Sequence, residues 1–173
     1  MVHGDIRGTN ILLDDNFQVK IADFGLARHS DGTGTKNEAM SAPFTAPELF
    51  LESDKLKRTK KTDVYAFGCL FYEVRALISP YFSELSLVLH HQIYFGCLPF
   101  VCNVYNIGRN VRSGQRPRRL DQPPLDERAW HLIERCWHME PARRPSMDDV
   151  VQTMKFWYRS PDRSYPLSPP MSP

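Results

Sequence analysis

Asp5 and Asn10 in VHGDIRGTNILL, and Asp23 in the following VKIADFGLA, are two acids and an amide of the types that magnesium-assisted phosphoryl transfer uses. A hard divalent cation takes oxygen ligands. It binds protein through one or two carboxylates and leaves the rest of its octahedron to phosphate oxygens and water. Asn10 and Asp23 suit that demand. Asp5 is not needed as a ligand, so it is free to accept or orient the proton of an attacking hydroxyl. Either segment alone is equally well read as turn residues capping backbone amides. The two in this order and at this spacing are better explained by the chemistry.

Those side chains must be brought together by the elements between them. Ile11-Leu12-Leu13 is expected as a short buried strand, Asp14-Asp15-Asn16 as a turn, and Val19-Lys20-Ile21 as a second strand, so that the chain doubles back and returns Asp23 toward Asn10. Downstream, Val64, Phe67, Gly68, Phe71 and Tyr72 repeat at helical spacing and predict a buried helix. Asp63 falls in its first turn, where an acid ordinarily caps the helix or favours its dipole. Trp130, Ile133 and Trp137 predict a helix over 126–138, and Met147, Val150, Val151, Met154 and Trp157 another over 146–158. Ser146 with Asp149 three residues on, just after Pro145, forms a capping box at the start of the last helix. The expected fold is one domain, mainly α with a short β-hairpin pair. It is followed at 160–173 by a Ser/Pro-rich tail with too little apolar surface to order itself.

Bulk properties exclude several classes. A formal charge of +2 over 173 residues is too mild to imply nucleic acid or membrane as a partner. The run KLKRTKK at 55–61 is expected as a solvated loop. Cys69, Cys97, Cys102 and Cys136 have neither metal-ligand nor disulfide-framework spacing, so reduced thiols and an intracellular, cytoplasmic location are expected. Nothing at the start resembles a leader peptide, and the stretch 93–101 is too short and broken to span a bilayer. His90-His91 has no Cys, Asp or Glu beside it at ligand spacing, and no transition metal is expected.

At this point the chain resembles the eukaryotic protein kinases, whose H-R-D-x-x-x-x-N loop and D-F-G segment are matched by HGDIRGTN and Asp23-Phe24-Gly25. Gly4 is shared instead with the H-G-D loop of aminoglycoside- and choline-type phosphotransferases, which are the rival. Three later segments favour the protein kinases: Ala46-Pro47-Glu48, TDVYAFGCLFYEV at 62–74, and CWHMEPARRPS at 136–146. The resemblance implies the C-terminal, large lobe of the kinase-like fold over 1–159, with the catalytic loop at 3–10 and the activation segment at 23–48. It implies ATP and Mg2+ as cofactors and a protein substrate. Asp5, Arg7 and Asn10 would be catalytic, and Asn10 and Asp23 would hold metal and nucleotide. His3 would give structural support, Asp63 would bind the backbone of the catalytic loop, and Glu48 would form a buried ion pair with Arg144.

Departures from that pattern carry their own expectations. The chain opens at the catalytic loop, without the N-terminal lobe's glycine-rich loop, phosphate-contacting lysine or its glutamate partner. GTGT at 32–35 lies after the D-F-G segment and cannot substitute. A truncated catalytic fragment, inactive alone and behaving as a non-catalytic interaction module, is therefore expected. Gly4 stands where the family has an arginine that grips an activation-loop phosphate. A phosphate on Ser30, Thr33 or Thr35 would thus lack its partner, and activity independent of such modification is expected. The apolar connection at 87–103 exceeds the family's usual length and is either translated intron sequence or a partner-binding patch. Arg7 and Ser41 point to the tyrosine-kinase-like group, in particular its fungal branch, with serine/threonine favoured over tyrosine as acceptor.

Overall fold

In a computed structural model, residues 1–28, 42–51, 57–77, 107–117, 119 and 126–159 are described. Ser30, Thr33, Thr35 and Ser41, the 87–103 connection with His90, His91, Cys97 and Cys102, and the 160–173 tail lie outside them.

The hairpin consists of β1 (Ile11–Leu13) and β2 (Val19–Ile21), paired antiparallel with Ile11 opposite Ile21 and Leu13 opposite Val19. Its turn is made by Asp14, whose Oδ1 accepts from the amides of Asn16 (3.0 Å) and Gln18 (2.9 Å), a short-side-chain turn of the kind its composition predicts. The strand is not buried as expected: Leu12 and Leu13 are 52% and 62% exposed. Ile11 alone of β1 packs on the body of the molecule, and the rest of the hairpin overhangs it.

Among the described residues four α-helices follow: α1 (Lys60–Leu77), α2 (Ile107–Arg112), α3 (Glu127–Cys136) and α4 (Met147–Arg159). Thr59 and Thr62 open α1 reciprocally, each amide donating to the other's hydroxyl at 3.0 and 3.3 Å. Beyond the stripe predicted from spacing, Tyr65, Ala66, Cys69 and Leu70 are buried as well. The reason is that α1 supplies each of the three apolar clusters among the described residues. Tyr65, Cys69 and Tyr72 pack with Ile133, Trp137 and Leu49, and Val64 packs with Leu132, Cys136 and Val150. Ala66 and Leu70 pack with Ile6 of the first loop. A helix apolar all round is a buried one. Gly68 permits the close approach of α1 to α3, since a Cβ there would stand 2.7 Å from Cys136 Cβ.

The start of α4 is capped as predicted: the Ser146 hydroxyl and amide both donate to Asp149 Oδ2, at 2.6 and 3.0 Å, and the Asp149 amide returns a bond to Ser146 Oγ. Val151, placed on the apolar face by spacing, is 41% exposed, while Val150 is buried. The basic run also differs from the expected solvated loop. Lys60 and Lys61 begin α1, and Lys61 Nζ donates to the carbonyls of Arg144 and Pro145. Cys69 and Cys136 are free thiols, and burial pushes both up to about 12, which leaves them protonated and unreactive. Among the described residues no helix is long and apolar enough to cross a membrane.

Candidate active site

The loop at 3–10 is held from below by α1. Asp63, in the first turn, accepts the His3 amide at 2.7 Å and the Gly4 amide at 2.9 Å, one on each carboxylate oxygen. Its carboxyl titrates above the usual range because burial outweighs the two amide donors. Farther along the helix, Glu73 takes the Gly8 amide, and its carboxyl is also raised by burial. A Cβ on Gly8 would lie 2.9 Å from Glu73 Oε2. Thus one rigid helix grips the loop on both sides of Asp5.

Within the loop, His3 Nδ1 accepts the Asp5 amide at 3.3 Å, which leaves its proton on Nε2, 3.2 Å from the Ala22 carbonyl. His3 therefore ties the loop to the segment just before Asp23, and Phe24 packs edge-on against its ring at 5.0 Å. The buried Asn10 donates its amide nitrogen to the Asp5 backbone carbonyl at 2.8 Å and to Asp5 Oδ2 at 3.0 Å. The oxygen of that amide, the atom able to ligate a cation, is the one turned away from Asp5. The Ala22 amide donates to the Asn10 carbonyl at 2.8 Å, so the hairpin returns the residue before Asp23 directly onto Asn10. Asp23 has φ 60°, a left-handed backbone that aspartate tolerates, with its Oδ1 accepting from the Gly25 amide at 3.2 Å. Its side chain is exposed. Arg7 Nε stands 3.5 Å from Asp5 Oδ2.

Magnesium would fit this donor set. One exposed carboxylate, Asp23, and one amide oxygen, Asn10, match its habit of taking few protein ligands and completing its shell with phosphate. Among the described residues no cluster of three or more His, Cys, Asp or Glu is disposed to hold a metal. When bound with a nucleotide, the ion would neutralise charge on the transferring phosphoryl group.

Glu48 and Arg144 meet as a two-pronged pair, Nη1 to Oε1 and Nη2 to Oε2, both 2.7 Å. The Arg144 guanidinium is wholly buried, and its other bonds run to the carbonyls of His138, Lys61 and Met139. It also lies 5.0 Å over the Tyr65 ring. The pair joins the segment around Ala46–Phe50 to the turn before α4 and to the start of α1.

Two residues near Asp5 escaped the sequence reading. Glu73 carried a signal, a carboxylate inside the apolar run of α1. Arg58 carried none, being one of several cations in its run. Its Nε donates to the Gly4 carbonyl at 3.2 Å, and it lines a cleft with Gly4, Asp5, Phe44, Thr45 and Asp63.

A family profile described as protein tyrosine and serine/threonine kinase matches residues 1–154. The chain belongs to this protein kinase family. It is similar to a candidate serine/threonine-protein kinase/receptor of Acanthamoeba polyphaga mimivirus, 32% identical over 87% of this chain and 8% of that protein. It is similar also to drkD of Dictyostelium discoideum, named as a candidate serine/threonine-protein kinase, at 30% over 90% of this chain and 10% of the relative. A mouse protein named as a dual serine/threonine and tyrosine protein kinase is 34% identical over 89% of this chain and 14% of its own length. The kinase chain therefore spans about a tenth of the length of these relatives. The family as a whole uses ATP and magnesium for phosphoryl transfer.

Proposed function

We propose that this chain carries the catalytic loop of a protein kinase that transfers the γ-phosphoryl group of ATP to serine or threonine hydroxyls of a protein. Asp5 receives or orients the hydroxyl proton, with Arg7 beside it. Asn10 and Asp23 hold magnesium and through it the nucleotide phosphates. His3 and Asp63 fix the loop, and the Glu48–Arg144 pair anchors the segment before α1. The single observation that supports this most is the junction of Asp5, Asn10 and Ala22. The Asn10 side chain bonds Asp5, and its carbonyl receives the amide adjoining Asp23. Relatives named as serine/threonine kinases favour that acceptor class. Positioning and electrostatics supply most of the catalysis in such a transfer.

The test is phosphorylation of a generic protein substrate by the full-length protein. Asp5→Asn should cut turnover by roughly 100-fold or more while nucleotide still binds. Asp23→Asn should remove magnesium-dependent nucleotide binding. Transfer to a small amine or alcohol instead of protein would overturn the reading. Because Gly4 provides no guanidinium for an activation-segment phosphate, the Ser30→Ala, Thr33→Ala, Thr35→Ala triple variant should keep its turnover.

A further inference from the structure

Gly4 and Arg58 are 54 residues apart and share one volume. Gly4 has φ +84°, and a Cβ built on it would stand 2.8 Å from Arg58 Cδ and 3.0 Å from the Leu26 carbonyl oxygen. A side chain at position 4 and the present course of Arg58 exclude one another. Arg58 also takes a specific bond: its Nε donates to the Gly4 carbonyl. That carbonyl belongs to the peptide group whose N–H, on Asp5, donates to His3 Nδ1. The preceding amide, on Gly4, is held by Asp63. The peptide plane entering Asp5 is thus fixed on both edges, and a fixed plane sets the direction in which the Asp5 carboxylate leaves the backbone.

We propose that Arg58 is the positioning residue of the Asp5 turn, a guanidinium supplied from the segment before α1 in place of the arginine that the catalytic loop lacks at Gly4. Burial, and next the neighbouring Arg28, pull its pKa below the usual arginine value, while Asp5 and Asp63 act in the opposite sense and favour the cation. The arrangement needs no phosphate to assemble, because the bond is to the loop's own backbone. The catalytic consequence rests on the kinase reading above, whereas the hold on the peptide plane does not.

The experiment uses the full-length protein with Arg58→Met, which keeps an unbranched apolar stem, and Arg58→Gly, which opens the space. Amide hydrogen exchange at His3, Gly4 and Asp5 should quicken roughly tenfold in Arg58→Met, with exchange along α1 unaltered. Unchanged exchange at those three amides overturns the proposal whatever the activity. For turnover, kcat should fall ~10–100-fold with KM for ATP and peptide nearly constant. Added guanidinium should restore part of the loss in Arg58→Gly but not in Arg58→Met, an outcome that a packing role alone would not produce. A fall in KM-limited binding with kcat intact would also overturn it. If the unaltered protein transfers no phosphate, the kinase reading fails, and the exchange measurement still decides the proposal.

Discussion

Asp63 and Arg144 are both buried charges, and the residues around them treat the two differently. Arg144 has an acceptor for every N–H: two carboxylate oxygens and three backbone carbonyls. Arg144→Met strands Glu48 and those carbonyls and should cost about 3–5 kcal/mol by denaturant unfolding. Arg144→Lys should cost nearly as much, since a point-like ammonium with three donors cannot span the same acceptors. A double-mutant cycle with Glu48→Gln should give a coupling of ~1–3 kcal/mol, and additive losses would contradict the pair's importance. Asp63 has two amide donors for a full charge, and burial leaves its carboxyl above the ordinary value of 3.8. The native state therefore binds this proton more tightly than the unfolded chain does. Its contribution to stability is greatest below the unfolded value and is lost as pH rises through the native one. The stability of the protein minus that of Asp63→Asn should accordingly decline with rising pH just above 3.8, and a pH-independent difference would refute this.

At the scale of elements, the fit of α1 against α3 decides more than helix propensity does. Gly68→Ala in a helix interior would ordinarily gain about 1 kcal/mol. Here the new methyl would meet Cys136 Cβ at 2.7 Å and the Trp137 amide nitrogen at 3.3 Å, and overpacking costs about 1–3 kcal/mol. The net effect should be a loss of stability, measurable as a lowered unfolding midpoint. Cys136→Ala should not relieve it, because the clashing atom is the Cβ itself, whereas Cys136→Gly should. The same elements separate what was legible in the chain from what was not. The capping box of α4 and the turn at Asp14 are local, each set by residues within a few positions, and composition announces them. The overhang of β1 and the exposure of Val151 depend on what packs alongside, which periodicity cannot report. The bond from Arg58 to Gly4 joins distant segments, and nothing in the residue type sets Arg58 apart from its basic neighbours. Glu73 was legible in principle, as a charge inside an apolar helix.

At the largest scale, the described helices bury their apolar side chains around α1, while most of the hairpin's apolar side chains are exposed. Ile11, Leu13, Val19 and Ile21 share one face by their pairing, yet only Ile11 reaches the core. Leu13 and Val19 are 62% and 63% exposed, and Phe17 at the turn is 82% exposed. Such a face on a short two-stranded edge invites pairing and apolar association, and a net charge of +2 offers little repulsion against it. Each of these side chains gains about 1.5–3 kcal/mol on full burial, so even partial burial of three outweighs the weak charge term. The 173-residue chain purified alone should therefore self-associate in a concentration-dependent way and bind an apolar dye. Leu13→Thr, Val19→Thr and Ile21→Thr together keep β-favouring side chains at two branched positions while removing most of the apolar face. That variant should sediment as a monomer and lose dye binding, with the unfolding midpoint of the helical body in place because none of the three belongs to its clusters. Association that persists unchanged in the triple variant would move the sticky surface elsewhere, to the exposed Phe156 and Tyr158 of α4.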